Sequence, residues 1–328
     1  MTEKVMIGVD IGGTTTKIAY IDIKGKIVEK WEIPTDLSSS GKNIVPNITK
    51  EIKCKLDDLE KNKEKILGIG VGAPGPVNTI DGTVLEAINL GWKGKYRLKD
   101  ELELGTSIPV IVDNDANCAA LGEMWQGAGK GGKDLVCVTL GTGVGGGVIA
   151  NGDIVQGMNG AAGEIGHISS MLEGGAACNC GKRGCLETLA SATGIVRLAH
   201  EQLKNTEKQS GKLYSRYVAN GQVNAKDVFD TAREGDHVSI KIIETVTYYL
   251  GVALANVANI LNPEKIIIGG GVSKAGETLL KPLSKEFINH CFSRGANSTK
   301  LALAALGNDA GVIGAAWLVK NKLNRFDS

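Results

Sequence analysis

The sequence predicts an α/β protein of two domains, and three observations lead to that reading. The chain has 328 residues, more than one compact hydrophobic core usually serves. Its apolar runs are short, separated by glycine turns, and alternate with helical periodicity. The strand, glycine turn, strand pattern of the N-terminus begins again at Leu135.

The elements are expected in this order. VMIGVDIGG and TTTKIAYIDIKGKIVEKWEIP alternate apolar runs with turns, giving hairpin connections at Gly12-Gly13 and at Lys24-Gly25-Lys26. A polar helix follows from about Asn43 to Leu59. ILGIGVGAPGP reads as a buried strand stopped by Pro74 and Pro76. Another strand is expected over Ile108 to Val112, then a helix from Ala116 to Trp125. The second unit opens with VCVTLGTGVGGGVIANGDIV, a weak duplicate of the first hairpin. Helical patterns cover Cys185 to Gln202, Ala225 to Arg233 and His237 to Leu261. A strand from Lys265 to Ile268 meets three glycines, a helix starts near Gly276, and a last helix runs from about Ala310 to Lys322. The restart divides the chain into a small domain, 1–118 joined by 308–328, and a larger one, 119–307.

A net charge of +1 gives no electrostatic reason to expect nucleic acid or an anionic membrane as partner. No run reaches the roughly 18 apolar residues of a membrane span. MTEKVMIGVD lacks the basic and long apolar regions of a secretory signal. Of seven cysteines, Cys178, Cys180 and Cys185 crowd together while Cys54, Cys118, Cys137 and Cys291 stand alone. That distribution suits a metal site in a cytoplasmic protein better than a disulfide framework.

The 45 glycines are clustered, which marks places where backbone turns sharply or approaches a ligand. Asp10-Ile11-Gly12-Gly13-Thr14-Thr15-Thr16 can cradle phosphate with backbone N–H groups and threonine hydroxyls. Asp10 could hold Mg²⁺ through water. Gly141-Thr142-Gly143-Val144-Gly145-Gly146-Gly147 is built alike. Neither ends as a Walker loop does, and each alone also reads as a tight hairpin; two together favour phosphate. Gly269-Gly270-Gly271 offers flat backbone for a base or ribose, or a plain strand-to-helix turn.

His167, Cys178, Cys180 and Cys185 supply one nitrogen and three thiolates, the donor set of a closed, structural zinc site. Glu164 lies three residues before His167 and Glu187 two after Cys185, so a zinc would hold two carboxylates near each other. Paired carboxylates beside a histidine suit a sugar's vicinal hydroxyls. In Asp113-Asn114-Asp115, Asp115 reads either as an N-cap or as a general base, with Asn114 on a neighbouring hydroxyl. Local sequence does not rank Asp113 against Asp115.

Together these residues resemble the ROK family of sugar kinases and transcriptional repressors, over nearly the whole chain. The resemblance rests on DIGGTTTK (10–17), GAPGP (72–76), NLGW (89–92), NDANCAALGE (114–123), LGTGVGGG (140–147), GEIGH (163–167), CNCGKRGCLE (178–187) and GGGVS (269–273). Within the family it is similar to the glucokinases, notably in NLGW and CLETLASATGI. The resemblance implies an actin-like (ribonuclease H-like) sugar kinase fold, two α/β domains around a cleft, acting as an ATP-dependent hexose kinase with Mg²⁺. It makes Asp115 the base and gives Asn89, Asn114, Asp115, Glu164, His167 and Glu187 to the sugar. Asp10, Gly12, Gly13, Thr14, Thr15, Lys17, Gly141, Thr142, Gly143, Gly269, Gly270 and Gly271 would hold ATP, and His167 would serve zinc and sugar at once. Homodimers are common in the family. A ROK repressor is disfavoured because the first phosphate turn starts at residue 10, leaving no room for a helix-turn-helix. Sibling kinases for fructose, N-acetylglucosamine, N-acetylmannosamine or allose share the hydroxyl-binding residues.

Overall fold

A computed structural model describes residues 4–61, 65–204 and 210–326. The chain forms two compact units, one of Met1–Gly131, Gly147–Ala162 and Ala305–Ser328, the other of Gly132–Gly146 and Gly163–Ala304. The division expected at residue 118 falls inside an unbroken helix of the first unit. The last two residues of the expected 308–328 segment lie outside the described ones.

The chain begins with β1 (Lys4–Ile11), β2 (Thr15–Asp22), β3 (Ile27–Pro34), the single turn α1 (Ser38–Gly41) and α2 (Ile44–Lys61). Then come β4 (Lys65–Ala73), the small hairpin β5 (Val77–Asn78) and β6 (Thr83–Val84), α3 (Leu98–Thr106), β7 (Val110–Asn114) and α4 (Asp115–Gln126). The sheet order is β3-β2-β1-β4-β7, antiparallel over its first three strands and parallel from β1 through β4 to β7. Parallel register sets Asp10 beside Gly72 and Gly72 beside Asp113. Both aspartates therefore stand at the carboxyl ends of parallel strands, where open α/β sheets bind ligands.

One sheet face buries Ile7, Val9, Ile69, Val71 and Val112 against Ile48, Ile52 and Leu102 of α2 and α3. The other face receives α12 (Ala310–Phe326), which brings Val312 and Ala316 onto Met6 and Ile21. Contact there is so close that a Cβ on Gly70 of β4 would sit 1.7 Å from the Ala315 carbonyl oxygen. Glycine is what lets α12 lie on the sheet.

The remaining elements are β8 (Leu135–Leu140), β9 (Val144–Ala150), β10 (Asp153–Ile154), α5 (Glu187–Ala190), α6 (Ala192–Leu203), α7 (Lys212–Asn220), α8 (Ala225–Arg233) and α9 (His237–Leu261). They end with β11 (Lys265–Gly269), α10 (Glu277–His290), α11 (Ser293–Ser298) and β12 (Lys300–Leu303). The second sheet is ordered β10-β9-β8-β11-β12, with β11 parallel to both β8 and β12. Helix α9 is capped by Asp236, whose carboxylate accepts from Ser239 N at 2.9 Å. It is long and apolar enough by length and composition to cross a membrane, although Lys241 and Glu244 interrupt any purely apolar run. Just over half of its most apolar stretch, 56%, is buried in the fold, as a core helix would be.

Local differences from the sequence reading have local causes. The strand expected at Ile108 runs two residues later, because pairing with β4 (Ile69 with Val110, Ala73 with Asn114) sets its ends. The single helix expected from Cys185 to Gln202 breaks at Ser191, which is extended and whose hydroxyl accepts from Gly194 N at 3.0 Å to start α6.

Candidate active site and metal centre

In the first unit the glycine turn joins β1 to β2. Gly12 N donates to Thr15 O at 3.1 Å, and the turn is braced by Thr35, just beyond β3. Thr35 Oγ1 donates to Gly12 O at 2.7 Å, lies 2.9 Å from Thr16 Oγ1, and Thr35 N donates to Thr14 O at 2.9 Å. Nothing local in the sequence marks Thr35; the bond exists only because β3 pairs beside β2. Asp10 ends β1 with Lys17 as its cross-strand partner, 3.8 Å from its carboxylate. Burial raises the Asp10 carboxyl above the ordinary range, and Lys17 works against that shift. A carboxylate at this strand end is the oxygen ligand a hydrated Mg²⁺ would take through water, with the Lys17 ammonium acting against it.

Two further predicted residues come near this turn's sheet edge. Asn89 sits in the short 3₁₀ turn Ile88–Leu90, and its Nδ2 lies 4.0 Å from where a Cβ on Gly13 would be. At the end of β7, Asn114 rather than Asp115 is the N-cap of α4. Its Oδ1 accepts from Ala116 N and Asn117 N, and its Nδ2 donates to Gly75 O at 3.0 Å. Asp115 is the first helical residue, half-buried, with Oδ1 2.8 Å from Ala116 N. Asp113 is only 3% exposed and takes three donors: Asn114 N at 2.7 Å, Asn117 Nδ2 at 2.9 Å and Gln156 Nε2 at 2.6 Å. Burial pushes its carboxyl up while those bonds pull it down. Asp113 is thus a buried acceptor that holds the turn, while Asp115 stands half-buried at the start of the helix.

In the second unit the Cys/His segments form a knuckle. Cys178 N donates to Lys182 O and Gly181 N to Cys178 O, at 2.8 and 3.0 Å. Leu186 N to Ile168 O and Ser170 N to Gly184 O, both 2.9 Å, zip the GEIGH and CLE segments side by side. The four predicted ligands converge, with His167 nitrogen and three sulfurs all within 4.8 Å of one another. His167 Nδ1 is 3.6 Å from Cys178 Sγ, and Cys180 Sγ is 3.6 Å from Cys185 Sγ. A zinc tetrahedron built on Zn–S of about 2.3 Å has edges of about 3.5–3.8 Å; the two 3.6 Å separations match it, and the donor set suits zinc. The other ring nitrogen, His167 Nε2, faces Glu164 at 3.8 Å, so the two nitrogens look toward different groups.

Glu187 has a backbone partner. Its Oε2 accepts from Val144 N at 2.9 Å, at the exit of the second glycine turn. The turn is also held by Ala192 N on Gly141 O and Thr193 Oγ1 on Thr142 O, both 2.8 Å. The third glycine turn abuts the second: Gly270, at φ 81°, lies against Leu140, which immediately precedes Gly141. Gly269 ends β11, and Gly271 opens a 3₁₀ turn.

The sequence as a whole has relatives. A sequence model of the ROK family matches residues 6–322. A glucokinase of Halalkalibacterium halodurans is 52% identical over 327 residues, 100% of this chain and 98% of that protein. A glucokinase of Thermotoga maritima is 36% identical over 323 residues, 98% of this chain and 99% of that one. Among solved structures, a ROK family glucokinase from Streptomyces griseus in complex with glucose and AMPPNP is similar at a TM-score of 0.77. It is 34% identical, over 97% of this chain and 99% of that one.

Proposed function

This chain belongs to the ROK family, and on that premise we propose that it is an ATP-dependent glucokinase with the family's actin-like fold, making glucose 6-phosphate and ADP. The observation that carries the reading is its 52% identity, end to end, with a glucokinase. The site residues support it: Asp115 at a helix start, a braced phosphate turn beside Asp10, and Glu164 with His167 at the Cys/His cluster.

In this reading Asp115 takes the proton of the glucose 6-hydroxyl as its oxygen attacks the γ-phosphorus. The new O–P bond forms while the bond to the β-phosphate oxygen breaks, and ADP leaves. Asn89, Asn114, Glu164, His167 and Glu187 fix the remaining hydroxyls. Asn114 is bound to Gly75 O and Glu187 to Val144 N, so both offer rigid rather than mobile partners. The glycine turns hold the phosphates and Gly269 to Gly271 the nucleoside. Mg²⁺, held through water on Asp10, would neutralise phosphate charge; zinc on His167, Cys178, Cys180 and Cys185 would be structural. Catalysis then rests on placement and charge. The same reading sets the enzyme in the cytoplasm at the entry to glycolysis, where thiolate ligands stay reduced, as a homo-oligomer.

A panel of glucose, fructose, N-acetylglucosamine, N-acetylmannosamine and allose tests the substrate. Glucose is expected to lead in kcat/KM by at least about tenfold, since a site built for a hydroxyl penalises its loss or misplacement strongly. A higher value for an N-acetylated sugar would reassign the enzyme within its family.

The Thr35 brace makes its own prediction. Thr35→Val keeps shape but deletes the bonds to Gly12 O and Thr16 Oγ1. Losing bonds of this kind is expected to raise KM for ATP about tenfold, with KM for glucose moving less than about threefold. Initial rates over both substrates decide it, and equal shifts in both constants would count against a phosphate-turn role.

A further inference from the structure

Glu187 joins two parts of the second unit. By sequence it follows the ligand Cys185 by two residues. By contact its Oε2 accepts from Val144 N at 2.9 Å, while Oε1 lies 3.9 Å from Cys178 Sγ. The turn it holds has each carbonyl committed: Gly141 O to Ala192 N, Thr142 O to Thr193 Oγ1, and Gly143 O to Gly141 N at 2.9 Å. Two of those donors also belong to the segment that leaves the metal cluster, just past Ser191. The fit at the turn is tight. A Cβ on Gly143 would stand 2.3 Å from Glu187 Oε2, and Gly143 is not among the glycines at positive φ. Its need for glycine comes from the carboxylate, not from backbone strain.

We propose that Glu187 is a positioning residue for the second glycine turn, through which metal loading of the His167, Cys178, Cys180 and Cys185 cluster sets nucleotide affinity. The proposal rests on reading 141–143 as a phosphate turn. The cluster fixes where Cys185 lies, Cys185 fixes where α5 starts, and the first residue of α5 is the acceptor that shapes the turn. Without the metal, the knuckle keeps its backbone hydrogen bonds and the bond from Lys182 Nζ to His167 O, and Glu187 loses one of the constraints on its position. Charge-assisted bonds to backbone N–H groups are among the stronger ones, so this contact can transmit the change.

Calorimetric titration with Mg·ADP in the absence of glucose tests it on the full chain. Four proteins are compared, each metal-loaded and chelator-stripped: wild type, Glu187→Ala, Gly143→Ala and the double variant. Loaded Glu187→Ala is expected to keep one zinc per chain yet bind ADP about tenfold more weakly, the loss typical of one hydrogen bond to a charged group. Stripping should weaken wild type by a similar factor and add little to Glu187→Ala, because coupled perturbations do not add. Gly143→Ala should weaken ADP binding alone and cost little more in the Glu187→Ala background, where the Cβ has room. Hydrogen exchange at Val144 N should quicken in loaded Glu187→Ala. The proposal is overturned if loaded Glu187→Ala binds ADP within twofold of wild type, or if stripping weakens it as much as wild type. Should stripping unfold the protein, the loaded Glu187→Ala and Gly143→Ala pair and their double variant decide alone. Loaded wild type that binds no ADP at all would remove the kinase reading, and this proposal with it; a loss confined to glucose affinity would remove only this one.

Discussion

Asp115→Asn is expected to lower kcat by about 10²–10⁴ while KM for ATP and glucose stays within a few-fold. The carboxamide keeps the shape and keeps an oxygen for Ala116 N, 2.8 Å from the present carboxylate. It does not touch the cap of α4, which is the Asn114 side chain. What it removes is proton affinity, so the loss falls on the chemical step. Thermal stability should be unchanged. Asp113→Asn is the control, because Asp113 accepts three hydrogen bonds in a buried site. An amide there turns one acceptor into a donor facing Gln156 or Asn117, so melting temperature should fall along with activity. Retention of more than about a tenth of wild-type kcat in Asp115→Asn would place the base elsewhere.

The contrast between these neighbouring aspartates also marks what the sequence could tell. Glycine turns, prolines after β4 and the bounds of α8 and α9 were legible because each depends on residues adjacent in the chain. So was the convergence of His167, Cys178, Cys180 and Cys185, since ligand spacing is itself sequence. The different surroundings of Asp113 and Asp115 were not, because they depend on Gln156 arriving from 43 residues away. The shift of β7 by two residues had the same origin in pairing with β4, and it moved the cap from Asp115 to Asn114. Thr35 and Thr193 brace the two glycine turns through contacts 23 and 51 residues long. Glu187 was singled out as a candidate carboxylate from its place after Cys185. Its bond to Val144 was not, for it exists only once α5 packs on the turn. The elements that escaped the sequence reading are short or lack alternation: α1, the β5–β6 hairpin, α3, α7, α11 and β12.

Zinc is expected at about one ion per chain in protein purified without chelators, and Cys180→Ser should lose it. Cys180 is the exposed member of the set, so exchanging sulfur for oxygen disturbs packing least there and the effect reports on ligation. A serine hydroxyl stays protonated at neutral pH and is a poor ligand, whereas metal binding needs the thiolate. Once the ion is lost, the GEIGH and CLE segments are joined by backbone bonds such as Leu186 N to Ile168 O and Ser170 N to Gly184 O. Binding energy of a structural metal is folding energy, so the melting temperature should drop by roughly 10 °C for a unit of this size. Glucose affinity should fall with it, by about tenfold or more. His167 carries the connection: Nδ1 faces the cluster at 3.6 Å from Cys178 Sγ, and Nε2 faces Glu164 at 3.8 Å. An imidazole freed from the metal can rotate, and a ligating ring whose other nitrogen has a partner is held in one orientation. Elemental analysis, thermal melting and glucose titration together separate the possibilities. Wild type with less than about a tenth of an ion per chain would sink the metal assignment. Loss of zinc with unchanged glucose affinity would keep the metal but strip it of any part in ordering the sugar site.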